Sequence, residues 1–263
     1  MGGRVPASRT GPETVFSLLD LMAVSELLSI LVPVYNESRT VASVIDRLMT
    51  VDLPVPREVV VINDGSSDGT RQVLDALLLP GDTVRILHVE RNAGKGAAIR
   101  LGLQHARGSI IAIQDADLEL DPAQLAALVT PIVQGDTTVV YGSRFLAGRP
   151  DAPWLTVAAN RTLTLLTNLL FGARITDMET CYKIMRTDVA RSLALESNRF
   201  DIEPEITAKL LLAGHRILER PVFFKPRQRS EGKKIGWRDG VRALRVLAGY
   251  RFSGWRPTPR PRA

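Results

Sequence analysis

The sequence is poor in cysteine and contains no long apolar run. Its one cysteine, Cys181, cannot form an intrachain disulfide, and a metal site built from several thiolates is excluded. We expect Cys181 to be a small buried hydrophobic residue. No stretch approaches the roughly 18 uninterrupted apolar residues of a membrane span, and the N-terminus lacks the apolar segment and cleavage site of a signal peptide. These absences predict a cytosolic protein.

Histidines and aromatic residues are also scarce. There are three histidines, none of them near a motif described below, and aromatic residues make up 5% of the chain. Proteins that bind single-stranded nucleic acid stack bases on aromatic rings. The composition therefore argues against a nucleic-acid partner, and we do not favour the alternative of a non-catalytic basic module that binds nucleic acid or acidic lipid through residues 216–262.

Positive charge is concentrated at the C-terminal end. The net charge is +6, but the segment from Arg216 onward holds fourteen Lys and Arg against three acids, a balance of +11, which leaves −5 for the rest. A basic end on an otherwise acidic protein suggests an anionic partner, such as a membrane surface, nucleic acid or a phosphorylated substrate.

Four apolar, β-branched runs alternate with helical patterns in the first half of the chain. They cover residues 28–34, 59–62, 84–89 and 110–113, and each is short enough for a strand buried on both faces. Three βα units that lead into a fourth strand predict an α/β fold, with a mainly parallel sheet and helices on both faces.

Polar side chains follow each of these runs. At the carboxyl ends of parallel strands they should meet on one rim, where open α/β sheets bind ligands. Asp115 and Asp117 stand two residues apart after the fourth run, and oxygen ligands of this kind suit Mg²⁺ or Mn²⁺. Such acids alternatively cap the next helix. The predicted rim comprises Tyr35, Glu37, Asp64, Lys95, Asp115 and Asp117.

Glycines flank Lys95 at the start of a predicted helix. Gly94 and Gly96 resemble a phosphate cradle, because free backbone N–H groups and the helix dipole favour an anion there. The segment is not a Walker A loop, and no Gly-x-Gly-x-x-Gly follows the first strand, which argues against a dinucleotide-dependent oxidoreductase.

The second half of the chain adds a helix at 153–171, a last strand at 217–224 and a helix at 237–251. Arg161 lies in the first of these helices, where we expect it to face an anion. In the last helix the apolar stripe is predicted to contain Trp237, Val241, Leu244 and Ala248, with arginines alongside. This basic amphipathic helix either lies on a membrane or packs on the domain.

The length and apolar content predict one main domain. We place a partly disordered N-terminal extension at residues 1–27, the α/β domain at 28–225, and a basic loop, the amphipathic helix and a disordered tail at 226–263.

Taken together, the motifs resemble the family 2 glycosyltransferases of the GT-A fold. They are most similar to the dolichol-phosphate mannosyltransferase branch, which acts on polyprenyl phosphates. The segments that carry the resemblance are Pro-Val-Tyr-Asn-Glu (33–37), Asn-Asp-Gly-Ser-Ser-Asp-Gly-Thr (63–70), Asn-Ala-Gly-Lys-Gly (92–96), Asp-Ala-Asp (115–117), Gly-Ser-Arg-Phe (142–145) and the basic loop at 229–234.

The resemblance implies a role for each matching position. Asp115 and Asp117 would bind the divalent metal and the donor diphosphate, with Glu119 completing the metal site. The nucleotide's base and ribose would be held by Pro33, Tyr35, Glu37 and Asp64, with Lys95 nearby. The cations for acceptor and donor phosphates would be Arg144, Arg161, Arg229 and Lys233.

Two positions depart from that branch. Asp177 is followed by Met-Glu-Thr-Cys-Tyr-Lys where the branch often has Asp-x-x-Ser-Gly-Phe-Arg, and Glu119 stands where Gln is common. Many bacterial relatives also carry C-terminal membrane spans, of which this sequence shows none. These departures leave the sugar and the acceptor open.

The activity implied is inverting transfer of a hexose, mannose or glucose, from a GDP- or UDP-sugar to a polyprenyl or dolichyl phosphate on the cytoplasmic face of a membrane. A phosphate acceptor is already ionised near neutral pH and needs no strong general base. The alternative is a saccharide or protein hydroxyl acceptor, which requires a carboxylate base. Asp177, Glu179 and Glu203 are the candidates.

Overall fold

The centre of the fold is a seven-stranded sheet. A computed structural model describes residues 26–77, 81–226 and 237–256, with only the backbone given for 237–239. Strand β1 (Leu28–Val34) is buried along almost its whole length and lies between β2 (Arg57–Asp64) and β4 (Ile110–Ile113). Continuous apolar runs are typical of strands covered on both faces. The first four predicted strands are confirmed.

The strand order is β3-β2-β1-β4-β6-β5-β7. The remaining strands are β3 (Val84–Val89), β5 (Val139–Ser143), β6 (Lys183–Arg186) and β7 (Leu218–Pro221). Strand β6 is antiparallel to both of its neighbours, β4 and β5, while the other paired strands run parallel. The mainly parallel sheet is confirmed. The sequence analysis missed β6, because four residues that include Lys183 and Arg186 show no strand periodicity.

Helices connect the strands and cover the sheet. Helix α3 packs against β1 and β2, while α1 and α2 contact each other. Right-handed crossovers then place α1 and α2 on one face and α3 on the other, as predicted. The helices are α1 (Val41–Thr50), α2 (Thr70–Ala76), α3 (Lys95–His105), α4 (Leu125–Val133), α5 (Trp154–Phe171), α6 (Thr187–Ser192), α7 (Ile202–Leu212) and α8 (Trp237–Phe252), with a 3₁₀ turn at Pro122–Gln124.

The last helix, α8, packs on the body of the protein through a face that the sequence analysis did not choose. Ala243 and Leu247 are buried, whereas Leu244 is 39% exposed and Ala248 is also exposed. The predicted apolar stripe through Val241, Leu244 and Ala248 is therefore wrong. Apolar residues form two stripes on this helix. The stripe that contains Ala243 and Leu247 is the one that packs against α5 and α7.

A small apolar cluster joins α5, α7 and α8 beside the main core. It comprises Leu163, Ile175, Met178, Ala208, Ala243 and Leu247. Within the described ranges, none of the helices has the length and apolar character that crossing a bilayer requires. The predicted domain boundaries stay a prediction, and residues 1–25 of the expected N-terminal extension lie outside the described residues.

Candidate active site

The loop after β4 carries the two aspartates to the rim of the sheet. Gln114, fully buried, donates to the carbonyl oxygens of Asp115 (3.0 Å) and Leu120 (3.2 Å), and the Tyr182 hydroxyl donates to its side-chain oxygen at 2.7 Å. Leu118 has a φ of 61°, and the Asp117 carboxylate accepts from the Glu119 N–H at 3.1 Å. These hydrogen bonds fix the conformation of the loop that places Asp115 and Asp117 at the rim of the sheet.

A chain of alternating charges runs inward from Asp115. Lys95 Nζ lies 2.8 Å from Asp115 Oδ1 and 2.9 Å from Glu203 Oε1, the second contact being an ion pair with poor hydrogen-bond angles. Lys183 Nζ lies 2.5 Å from Glu203 Oε2. Burial by itself lowers the pKa of Lys95, but Asp115 and Glu203 together raise that pKa well above its ordinary value. Lys95 therefore remains a cation under Asp115.

The start of α3 is covered by another loop of the chain. The Ala97 N–H donates to the Asn198 carbonyl at 3.1 Å. A Cβ on Gly94 would lie 2.4 Å from Asn198 O, and one on Gly96 would lie 2.3 Å from Ser197 O. The glycines allow this close approach. The phosphate-cradle interpretation is therefore corrected, because the helix start binds the chain's own backbone.

Asp64, at the end of β2, organises the loop between β3 and α3. Its carboxylate accepts from Asn92 Nδ2 (2.8 Å), the Ala93 N–H (2.9 Å) and the Gly94 N–H (2.7 Å), and the residue is buried. The sequence did not indicate this role. Contact between Asp64 and a nucleotide stays a prediction.

The loops after β1 and β2 are joined by hydrogen bonds. The Asn36 N–H donates to Ser66 Oγ and the Glu37 N–H to Thr70 Oγ1, both at 2.9 Å. Glu37 is buried, whereas Tyr35 is 37% exposed. Contact of Pro33, Tyr35 or Glu37 with a nucleotide stays a prediction.

Arg144, directly after β5, is fixed by Asp177. Two of its guanidinium nitrogens donate to the two carboxylate oxygens at 2.7 Å each, and its backbone N–H donates at 3.0 Å. The guanidinium also lies 5.5 Å from the centre of the Phe224 ring. Burial opposes the charge, but Asp177 raises the pKa of Arg144. The two hydrogen bonds to Asp177 fix the orientation of the Arg144 guanidinium near the rim.

The antiparallel strand β6 brings the polar segment 177–181 beside Asp115. β6 pairs with β4, and the buried Cys181, as expected from the sequence, lies with its Sγ 3.8 Å from the Ile113 carbonyl. Burial and the neighbouring Asp115 raise the pKa of the Cys181 thiol well above its ordinary value. Cys181 is therefore a protonated packing residue and not a nucleophile.

The three candidate bases differ in their partners. Asp177 is paired with Arg144, and Glu203 lies between two lysines. In the described part of the chain, Glu179 Oε1 is shielded from solvent and has no hydrogen-bond partner. Burial raises the pKa of Glu179 to about 7; Lys183 and Arg144 oppose the increase and Glu203 adds to it. Of the three, Glu179 is the one suited to exchange a proton near neutral pH.

Of the remaining predicted cations, only Arg161 lies among the described residues. Arg161 is exposed on α5, with its guanidinium 5.3 Å from the centre of the Phe145 ring. Arg229 and Lys233 lie outside the described residues.

Two aspartates, without a third ligand, form the candidate metal site. Across residues 26–77, 81–226 and 237–256, no cluster of three or more His, Cys, Asp or Glu side chains is placed to hold a metal. Glu119 is thus not assembled with Asp115 and Asp117 in advance. Mg²⁺ commonly takes one or two carboxylates, with water and substrate phosphates filling the other positions. The Asp115–Asp117 pair fits that pattern.

The fold is similar to that of a glycosyltransferase of known structure. Glucosyl-3-phosphoglycerate synthase from Mycobacterium tuberculosis, crystallised with uridine diphosphate, superposes with a TM-score of 0.65 at 20% identity, covering 92% of this chain and 85% of that one. This likeness confirms the predicted GT-A fold.

The curated relatives include three glycosyltransferases. Polyprenol monophosphomannose synthase of Mycolicibacterium smegmatis is 27% identical over 79% of this chain and 80% of its own. Undecaprenyl-phosphate mannosyltransferase of Micrococcus luteus is 28% identical over 78% and 86%. Glycosyltransferase AglD of Haloferax volcanii is 28% identical over 76% of this chain, which spans only 33% of the length of AglD.

The family assignment rests on a match that covers more than half of the sequence. The model of glycosyl transferase family 2 matches residues 29–193, from β1 to the end of α6, and includes every rim residue described above. The chain therefore belongs to glycosyl transferase family 2.

Proposed function

We propose that this protein is an inverting glycosyltransferase that moves a hexosyl group, mannose or glucose, from a GDP- or UDP-sugar to a polyprenyl phosphate. The observation that carries the proposal is the rigid pair Asp115 and Asp117 at the end of β4, with the cations Lys95 and Arg144 close to the same rim. Relatives named for polyprenyl-phosphate acceptors support the choice of acceptor.

The donor's nucleotide would lie against Tyr35 and Asp64, with its diphosphate at Asp115 and Asp117. A divalent cation, Mg²⁺ or Mn²⁺, held by these two carboxylates would stabilise charge on the leaving diphosphate. Lys95 keeps its proton and neutralises part of the carboxylate charge, so that a polyanionic donor is not repelled.

In the transfer, an oxygen of the acceptor phosphate forms a bond to the anomeric carbon while the bond from that carbon to the nucleoside diphosphate breaks. The acceptor attacks as an anion, so no proton needs to be removed. Arg144, oriented by Asp177, would bind the acceptor phosphate, together with Arg161, Arg229 and Lys233. An arginine suits this role because it keeps its charge when it is partly buried.

We place the reaction at the cytoplasmic face of a membrane, with the protein bound peripherally to an anionic lipid surface. A polyprenyl chain stays in the bilayer while its phosphate is in the headgroup region. An enzyme with its rim near that surface reaches the phosphate without extracting the lipid.

The test is transfer of label from radioactive GDP-mannose or UDP-glucose into a polyprenyl phosphate that is extracted into organic solvent, with Mg²⁺ or Mn²⁺. We expect label in the lipid with one donor, and loss of at least about a hundredfold in Asp117→Ala. Asp136→Ala, which changes an exposed aspartate after α4, is the matched control. Lipid labelling that persists in Asp117→Ala would contradict the proposal.

A hydroxyl acceptor is the second candidate. It is favoured by Glu179 Oε1, which has no hydrogen-bond partner among the residues that the structure describes. On that mechanism Glu179→Gln removes the base and lowers transfer by about 10²- to 10⁴-fold. With a phosphate acceptor the same change leaves the pH dependence of the rate unaltered. Rates of Glu179→Gln measured with a polyprenyl phosphate and with a saccharide between pH 6 and 9 separate the two mechanisms.

A further inference from the structure

The segment that carries Asp177 belongs to no helix or strand. Residues 175–178 lie between α5 and β6, and the backbone N–H of each donates to a side chain elsewhere in the chain. Buried N–H groups without a partner cost free energy, so an irregular segment is held in place by the side chains that accept from it. The acceptors are Asn168 for Ile175, Glu219 for both Thr176 and Asp177, and Thr164 for Met178.

Glu219, on strand β7, is the carboxylate in this set. One of its oxygens accepts from the Thr176 N–H at 2.9 Å and from the Asp177 N–H at 3.1 Å, and the other accepts from the Thr176 N–H at 2.8 Å. Hydrogen bonds to a charged acceptor are roughly twice as strong as those between neutral groups. Two successive N–H groups that converge on one carboxylate therefore fix the backbone at Asp177.

The sheet brings this segment next to the strand that leads to Arg144. Strand β7 pairs in parallel with β5, which ends at Ser143, the residue before Arg144. The hydroxyl groups of Ser143 and Thr176 are joined by a hydrogen bond of 2.6 Å. The segment that Glu219 holds is thus also tied to β5, one residue before Arg144.

The side chain of Asp177 connects the segment to the Arg144 guanidinium. Asp177 is fully buried, and its two carboxylate oxygens accept from two guanidinium nitrogens at 2.7 Å each. A bidentate pair keeps its two planar groups in a fixed relative geometry. A shift of the Asp177 backbone would therefore move or turn the guanidinium at the rim.

The charge of Glu219 does not serve stability. Burial raises the pKa of Glu219 above its ordinary value of 4.5; the N–H groups of Thr176 and Asp177 oppose the increase, and the charge of Asp177 adds to it. The contribution of such a carboxyl to stability is present at low pH and is lost as the pH rises through the pKa of the folded state. A neutral side chain of the same size should therefore cost little stability at pH 7.

We propose that Glu219 is a positioning residue for the transfer reaction, which acts through the backbone of Asp177 on the orientation of the Arg144 guanidinium. The inference deepens the proposed function, on which it rests for the role of Arg144 as a cation that binds the acceptor phosphate. It extends the site to β7, which lies beyond the residues 29–193 that the family model matches.

The first test measures initial rates of Glu219→Gln, which keeps the size of the side chain but replaces one accepting oxygen with an NH₂ group. We expect the KM for the acceptor to rise at least about fivefold, with the KM for the nucleotide sugar within about twofold of the wild-type value. Glu196→Gln, which changes an exposed glutamate between α6 and α7, is the matched control and should leave both values unchanged. An unchanged acceptor KM in Glu219→Gln, or equal rises of both KM values, would overturn the inference.

A double-mutant cycle with Arg144→Ala separates a positioning role from a merely structural one. If Glu219 acts through Arg144, Glu219→Gln should change the acceptor KM by less than about twofold in a protein that already carries Arg144→Ala. The melting temperature of Glu219→Gln should also stay within about 4 °C of the wild-type value. Additive effects of the two substitutions on the KM would assign Glu219 a structural role and overturn the inference.

The Nε–H group of Arg144 provides a measurement that needs no substrate. It donates to Asp177 at 2.7 Å, and the Arg144 side chain is 14% exposed, so this proton should exchange slowly with solvent. In ¹⁵N-labelled protein its signal is identified by its absence from Arg144→Lys. Exchange should be at least about fivefold faster in Glu219→Gln and unchanged in Glu196→Gln.

The exchange measurement distinguishes failure of this inference from failure of the proposed function. Exchange in Glu219→Gln equal to that of the wild type would overturn the inference even where sugar transfer to a polyprenyl phosphate is confirmed. Faster exchange in Glu219→Gln, with a wild type that labels no lipid, would refute the proposed acceptor and leave the positioning role of Glu219 intact.

Discussion

At the scale of single residues, Arg144 and Lys95 near the rim are each paired with specific carboxylates. The pairing of Arg144 with Asp177 tolerates few substitutions, because both 2.7 Å hydrogen bonds require the planar guanidinium group. A lysine of similar charge makes one of them at most.

Arg144→Lys should therefore lower the rate of transfer by at least about tenfold and raise the KM for the acceptor. The measurement is the initial rate as a function of acceptor concentration. Arg149→Lys, at an exposed position of the same loop, is the control and should leave both parameters near their wild-type values. A wild-type KM in Arg144→Lys would argue against an acceptor-binding role.

Glu58 is buried at the opposite end of the strands from the candidate site. It accepts from Ser29 Oγ (2.5 Å), from Arg107 and from Arg85 (2.8 Å). Burial by itself would raise the pKa of Glu58, but the hydrogen bonds from Ser29 and Arg107 and the charge of Arg85 bring it down to about 2. The carboxylate thus holds together β1, β2, β3 and the segment before β4.

The pH dependence follows from the direction of that shift. A carboxyl whose pKa is lower in the folded state stabilises the fold fully above its ordinary pKa of 4.5, and this contribution is lost as the pH falls toward 2. Glu58→Gln should lower the free energy of unfolding at pH 7 by about 3 kcal/mol and weaken its dependence on pH below 5. Urea unfolding at pH 7 and at pH 3.5 measures both effects; equal slopes with pH would contradict this account.

At the scale of secondary-structure elements, the start of α3 depends on the loop at 197–198. Gly96→Ala would place a Cβ 2.3 Å from Ser197 O, so the loop must move and carry its neighbours with it. Overpacking of this kind costs about 1–3 kcal/mol, and displacement of Lys95 should also lower transfer.

Gly249→Ala in α8 is the matched substitution, since nothing lies within 4 Å of its Cβ position. Alanine in place of a helical glycine should stabilise the protein by up to about 1 kcal/mol. Thermal unfolding of both variants checks the prediction. A melting temperature of Gly96→Ala equal to that of the wild type would show that the loop tolerates the shift.

At the scale of the whole molecule, the C-terminal helix α8 packs against α5 and α7. Lys209 Nζ lies 2.7 Å from Glu205 and 4.9 Å from the centre of the Tyr250 ring, and the Tyr250 hydroxyl donates to Glu205 at 2.9 Å. Burial and the nearby Glu205 raise the pKa of the Tyr250 hydroxyl, which therefore remains a donor.

Leu247→Ala should destabilise the protein by about 2–5 kcal/mol, because Leu247 is fully buried. The exposed Leu244 is the matched control, and Leu244→Ala should change the free energy of unfolding by no more than about 0.5 kcal/mol. Chemical denaturation followed by circular dichroism distinguishes them. Equal effects, or a larger one at Leu244, would contradict the packing described here.

The first four strands, the helices between them and the polar motifs at the strand ends could be predicted from the sequence. These features are local: β-branched runs, helical periodicity and short motifs at strand ends can be recognised within a few residues of each other. The positions of Asp64, Lys95, Asp115 and Asp117 could be predicted for the same reason, and so could the family.

Which side chains contact each other, in contrast, could be seen only in the folded structure. Glu203 lies 108 positions after Lys95 in the chain, and Asp177 lies 33 after Arg144. No local pattern encodes such pairs, the antiparallel β6, the loop over Gly96 or the buried face of α8. Each depends on how separate elements pack, since the cost of an unpaired buried charge or an uncovered apolar stripe is defined only once its surroundings are assembled.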